Sequence, residues 1–226
     1  MLFKFKIEKS EALKKIVGVI KTISNDITLK VTQYGVVATS FDETKNSMVY
    51  IDLTAHEIKL EGEEQVVSLD IDRFYKILTN VEGVYSIECE TMDKLRLYNE
   101  TNAYSVSLID CVGTQTVPDM VFTTMCMIPS NVLSSGIKSS LNINDMASLS
   151  SDMVLTSVNE HSGSSILLKQ NFVSGDNLQK DLTKQQLVCI NKFCKVTKSI
   201  NIGFGEDLPL RTVYVSDIGS ITLYIH

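Results

Sequence analysis

The sequence predicts an α+β fold made of two similar domains, each an antiparallel β-sheet with helices on one face, and three observations carry that expectation. Short β-branched and aromatic runs separated by turn residues dominate the chain, as antiparallel strands do. Helical periodicity interrupts them in only four places. Those four places form two pairs at nearly one sequence offset, the signature of an internal duplication.

In the first half, strand-like runs are Leu2–Ile7, Ile27–Thr32, Val36–Phe41, Met48–Leu53, Gln65–Leu69, Val84–Cys89, Lys94–Tyr98 and Tyr104–Ile109. In the second half they are Phe122–Ile128, Met153–Val158, Ser165–Gln170, Gln185–Ile190, Ile200–Phe204, Arg211–Val215 and Ser220–Ile225. The clearest helix is Ser10–Thr22, where Leu13, Ile16, Val17 and Ile20 make one apolar stripe behind an N-cap expected at Ser10. Asp72–Asn80, Ser130–Leu141 and Asn191–Ser199 are the other three.

Ser10-x-x-Leu13 recurs as Ser130-x-x-Leu133, 120 residues on, and Asp72–Ile77 resembles Asn191–Val196 at an offset of 119. The implied domains are 1–107 and 121–226, joined by a connector, 108–120, that contains Gly113 and Pro118.

A chain of 226 residues with 44% apolar and 21% charged residues has the makings of two ordinary globular cores. The absence of a membrane-length apolar stretch and of a signal-like N-terminus predicts an intracellular protein without a membrane partner. Five cysteines, at 89, 111, 126, 189 and 194, match neither a zinc pattern nor a secreted disulfide framework, and most are expected to be small buried hydrophobes. Asn99-Glu100-Thr101 has the form of a glycosylation sequon but is expected to be a polar turn.

Catalysis finds no support. His56, His161 and His226 are widely spaced and form no metal-ligand motif, so neither metal nor cofactor is expected. Asp70-x-Asp72 is expected to cap a helix rather than to work as an acid–base pair, and Gly203-x-Gly205 to form a hairpin turn rather than a phosphate loop.

The net charge of −6 argues against nucleic acid until its distribution is considered. Lys9–Thr22 and the other three helical segments hold ten basic residues against only Glu11 and Asp72, while the rest of the chain holds eleven against 25. Helices gathered on one surface would make it positive inside an acidic protein, suited to a polyanion held without sequence recognition. No aromatic platform for single strands is present, which leaves the duplex backbone.

The segments FKFKIEKSEALKKIVGVIK, YGVVATSFDETKNSMVYIDL, SLDIDRFYKIL, VPDMVFTTMCMIPS, VCINKFCKVTKS and DLPLRTVYVSDIGSITLYI resemble, in order and spacing, the proliferating cell nuclear antigen family of DNA sliding clamps. The resemblance implies the DNA clamp fold, three subunits closing head to tail into a ring around double-stranded DNA, helices lining the hole, and a clamp loader to open it. It further implies a processivity factor that tethers DNA polymerase and other replication and repair proteins through their clamp-binding peptides. The location implied is the nucleus of a eukaryotic host or the replication site of a DNA virus.

By position, Lys14, Lys15, Lys21, Lys76, Lys138 and Lys198 match basic positions that face DNA in the family; Arg73, Lys192 and Lys195 are added from the repeat and the helix face. Phe41, Met48, Val117, Pro209 and Tyr224 match the apolar lining of the family's partner-peptide pocket. Gln115 and Asn46 are polar where the family offers apolar residues, and the chain stops at His226 where the family continues, which implies an altered choice of partner. The family's paired edge strands map to about Ala103–Ile109 and Ser165–Gln170, with Tyr104, Val106, Leu108, Ile166 and Leu168 as interface residues. The alternative expectation is a clamp-like scaffold or heteromeric clamp subunit that binds partner peptides without forming a homotrimer.

Overall fold

The computed structural model describes residues 1–110, 117, 119–168, 171–172 and 177–226. It is mixed α+β, mostly antiparallel sheet, and divides into two compact units: Met1–Val117 with Ser216–Ile221, and Pro118–Val215 with Thr222–His226. The expected connector 108–120 is only partly visible: Leu108 and Ile109 belong to a strand, and 111–116 and 118, which include Gly113, Gln115 and Pro118, lie outside the described residues.

The first unit runs β1 (Phe3–Ile7), α1 (Ser10–Ile20), β2 (Asp26–Thr32), β3 (Gly35–Phe41), β4 (Ser47–Leu53), β5 (His56–Leu60), β6 (Glu64–Asp70), α2 (Ile71–Leu78), β7 (Tyr85–Cys89), β8 (Lys94–Tyr98) and β9 (Ala103–Ile109). Its strand order is β4-β3-β2-β6-β9-β8-β7-β1-β5. Period-two alternation explains which face is covered: Phe3, Phe5 and Ile7 are buried while Lys4 and Lys6 between them face outward. The apolar stripe of α1, Leu13, Ile16, Val17 and Ile20, is buried as its spacing predicts.

In the second unit follow β10 (Thr124–Pro129), α3 (Ser130–Leu141), β11 (Met146–Ser150), β12 (Val154–Val158), β13 (Gly163–Leu167), β14 (Asn171–Phe172), β15 (Gln179–Thr183), α4 (Lys184–Phe193), β16 (Ser199–Phe204), β17 (Leu210–Ser216) and β18 (Gly219–Ile225). Its strands are ordered β14-β10-β16-β17-β18 in one sheet and β13-β12-β11-β15 in another, and residues Ser216–Ile221 of the last hairpin belong with the first unit.

Several expectations need correction. The strand expected at Gln185–Ile190 and the helix expected at Asn191–Ser199 are replaced by α4, which begins seven residues earlier than expected and ends at Phe193. The cause is a capping box: Thr183 N donates to Gln186 Oε1 (2.9 Å), and Gln186 N donates to Thr183 Oγ1 (3.4 Å). Leu187, Ile190 and Phe193 then fall on one buried face, a helical period hidden inside a run that reads as apolar and β-branched. The 119-residue correspondence fails with it, because the N-cap Asp70 of α2 corresponds to the N-cap Thr183 of α4.

Ser10 is the first helical residue rather than the cap; Lys9 takes the cap position without a side-chain bond, and both Ser10 and Ser130 are buried. Gly203 lies inside β16, and only Gly205 precedes a turn. Strands β5, β11, β14 and β15 are additions to the sequence reading; β14 has only two residues, and β15 carries Lys180 and Asp181 on opposite faces. Asp70 does cap α2, its Oδ1 accepting from Arg73 N at 2.8 Å. Cys89, Cys126, Cys189 and Cys194 are buried, and Cys111 lies outside the described residues.

Loss of the α4 cap through Thr183→Ala is expected to reduce stability by about 1 kcal/mol. Urea denaturation would show a lower midpoint at unchanged slope.

Candidate nucleic-acid interface

In the first unit α1 packs on α2 through a glycine. A Cβ at Gly18 would lie 2.9 Å from the Tyr75 ring, so only glycine lets the two helices approach this closely without moving that ring. At the end of α1, Lys21 holds Asp72 at 2.7 Å and stands 5.1 Å over Tyr75, tying one helix end to the other helix's start. Lys21's hydrogen bond, and then its charge, keep the Asp72 carboxyl below the usual range. Lys14 pairs with Glu11 at 3.3 Å, and Arg73 Nε lies 4.0 Å from Asp70. Lys15 and Lys76 are exposed and have no ion pair among the described residues.

In the second unit α3 meets α4 through a hydrogen bond from Ser134 Oγ to Asn191 Oδ1 at 2.6 Å. Lys138 on α3 is exposed, and Lys192 on α4 is half-buried. The helix face expected to carry Lys192, Lys195 and Lys198 together does not form; α4 stops at Phe193, and Lys195 and Lys198 project from the turn that follows it. These four lysines also lack an ion pair among the described residues. The corrected start of α4 adds a basic residue that the sequence reading missed: Lys184, exposed and 2.9 Å from Asp145. The Thr183-x-x-Gln186 box was the signal that could have placed it on a helix.

Each helix pair therefore presents a face on which acidic partners neutralise some cations and leave others to solvent. The compensated set is Lys14, Lys21, Arg73 and Lys184; the uncompensated set is Lys15, Lys76, Lys138, Lys192, Lys195 and Lys198. Uncompensated lysines can contact phosphates without first breaking an internal pair.

Two strands differ from the rest in what they leave unpaired. β13 pairs only with β12 among the described strands, and β9, between β8 and β6, pairs with β8 through Ala103–Ser107 and with β6 only through Leu108 and Ile109, so that one side of 103–107 has no strand partner among the described residues. The edges β5 and β15 carry charges, Glu57 and Lys59 on one and Lys180 and Asp181 on the other, which discourage pairing with another chain. β9 (AYSVSLI) and β13 (GSSIL) have neither charge nor proline. Both are entered through the same asparagine-held turn: Asn99 Oδ1 accepts from Thr101 N (3.0 Å) and Asn102 N (2.9 Å), and Asn159 Oδ1 from His161 N (2.8 Å) and Ser162 N (2.7 Å). The sequon-like Asn99 is thus a structural turn residue.

Of the expected interface side chains, Tyr104, Leu108 and Ile166 are half-buried and Val106 is buried. Leu168 is committed to the core, where its side chain lies against Gly136 of α3. For the expected partner pocket, Phe41 and Met48 are direct cross-strand partners on β3 and β4, both half-buried, with Val117 also half-buried. In the second unit Pro209 is buried and Tyr224 half-buried; Asn46 is exposed in the β3–β4 turn.

Among the described residues no group of three or more His, Cys, Asp or Glu could hold a metal ion, and no helix is long and apolar enough to cross a membrane. Compared with known proteins, the chain matches no family model and no curated sequence.

Proposed function

We propose that the chain is a subunit of a DNA sliding clamp, a processivity factor that encircles duplex DNA and tethers replication and repair proteins by their clamp-binding peptides. The observation that carries this reading is the pair of packed helices in each unit whose basic residues outnumber their acidic partners, in a protein whose net charge is −6. A lysine is a flexible point charge whose phosphate contacts exchange freely, and no base contact is needed to hold a ring that topology already retains. Lys14, Lys15, Lys21, Arg73, Lys76, Lys138, Lys192, Lys195 and Lys198 are the proposed DNA-facing residues. Phe41, Met48, Val117, Pro209 and Tyr224 are the proposed lining for partner peptides.

The uncharged stretch 103–107 of β9 and the uncharged edge β13 supply the proposed means of closure, each pairing with the other on a neighbouring copy in a head-to-tail homotrimer. Such a ring needs a loader to open it, and its place of work would be the nucleus of a eukaryotic host or a viral replication site.

Light scattering is expected to give about three times the 25.2 kDa chain mass. Ser105→Lys combined with Ser165→Lys should dissociate the assembly by placing like charges on paired edges, and Ser105→Glu combined with Ser165→Lys in the same chain should restore it. A wild-type protein that stays monomeric or dimeric at all concentrations would instead favour a scaffold or a subunit of a heteromeric clamp.

A further inference from the structure

In the second unit, Arg211 of β17 pairs across the sheet with Gly203 of β16. Gly203 has no side chain to fill this face, and Phe122 and Met125 lie over it: a Cβ there would be 2.9 Å from Met125 Sδ and 3.2 Å from the Phe122 ring. The Arg211 guanidinium stands 5.3 Å over that same ring. Its Nε is buried without a hydrogen-bond partner, and no carboxylate among the described residues comes within salt-bridge distance of it.

A guanidinium with one buried, unmatched N–H and an apolar ring beneath it is costly to leave alone, since each unpaired buried donor forfeits its hydration. With Nε buried, the remainder of the half-buried guanidinium is left to satisfy its charge from outside, and a planar carboxylate can accept from its two terminal nitrogens together, which a water or a hydroxyl cannot do as well. Tyr224 lies within electrostatic reach: burial pushes its phenol up, and the nearby Arg211 charge pulls it part of the way back.

We propose that Arg211, with Phe122, Met125 and Tyr224, forms an acid-reading subsite for a partner peptide, in which a peptide carboxylate pairs with the guanidinium and an adjoining apolar side chain rests on the aromatic and methionine surface. The proposal rests on the peptide-capture part of the function above, and names a chemistry that part leaves open. A lone cation framed by apolar groups selects one charge of one sign, so the occupant is an acidic residue beside a hydrophobic one rather than a general acidic tract.

The test uses a library of random peptides displayed on phage and selected against the whole chain. The strongest acidic binder is then synthesised with its Glu or Asp kept or changed to the amide. Neutralising the peptide acid should weaken binding to the wild type by about tenfold and leave binding to Arg211→Gln unchanged. Arg211→Glu should invert the selection toward peptides with lysine, while Arg211→Lys retains the acid preference, which separates charge reading from a folding defect. Selected peptides with no acid preference, or one that survives Arg211→Gln, would overturn the subsite while leaving peptide capture intact. Failure to select any peptide would remove both. A duplex-DNA salt dependence that becomes shallower in Arg211→Gln would assign the guanidinium to phosphate and overturn the proposal by another route.

Discussion

Neutralising Lys15, Lys76, Lys138 and Lys198 together by alanine is expected to make the salt dependence of duplex binding shallower by about three to four units of log K per log salt, because each lysine–phosphate pair removed takes about 0.9 off the slope. The fold should survive, since all four side chains are exposed. The structure adds a contrast that charge counting cannot. Lys14 and Lys21 belong to the same helix as Lys15 or to its C-cap, yet they are already engaged by Glu11 at 3.3 Å and Asp72 at 2.7 Å. Replacing that compensated pair should change the slope by less than about half as much per lysine, because a lysine that stays with its carboxylate presents little net charge to a phosphate. Equal slopes for the two sets would show that the internal pairs open on binding; an unchanged slope for the uncompensated set would remove the helix faces as the DNA surface. Binding to a short duplex by fluorescence anisotropy over a salt series measures both.

Gly219→Ala is expected to be the most destabilising single exchange of a small residue, lowering the unfolding free energy by about 3–5 kcal/mol. Two independent costs add there. The residue has φ of +122°, a conformation that side chains rarely adopt, and an added Cβ would meet the backbone carbonyl of Asp52. Backbone cannot swing away as a flexible side chain can, and this stretch is pinned by Thr54 N donating to Ile218 O at 2.8 Å. Gly62 serves as the control: its φ of +83° carries the conformational cost, but nothing lies within 4 Å of an added Cβ. Gly62→Ala should cost about 1 kcal/mol. Denaturation curves for the two variants would separate conformational strain from steric collision.

The amino-acid order by itself determined the β-rich α+β class and many of the strands, because alternation of buried and exposed residues is a local property of the chain. It also determined α1 and α3, whose apolar stripes repeat 120 residues apart and whose first residues, Ser10 and Ser130, occupy matching buried positions. It marked most of the basic residues near helices. It misplaced α4, where VCI reads equally as strand or helix until Thr183 and Gln186 close their reciprocal bonds. Local pattern was ambiguous there, and the cap decided it.

What only the tertiary structure decided is which cations are spoken for and which edges are open. Lys21 and Lys76 look alike in sequence; Lys21 forms a 2.7 Å ion pair with Asp72 on another helix, whereas Lys76, on the same helix as Asp72, acts on that carboxylate only at longer range. β9 reads as a strand in sequence and β5 does not, but only the sheet shows that β5 is a terminal strand guarded by charge while β9, between β8 and β6, meets β6 only through Leu108 and Ile109. Arg211 is one basic residue among 21 until Gly203 lets Phe122 lie down beside it and its Nε is left without a partner. Period and propensity are set by neighbours along the chain, whereas charge compensation, edge exposure and orphaned donors depend on residues that folding brings together from distant positions.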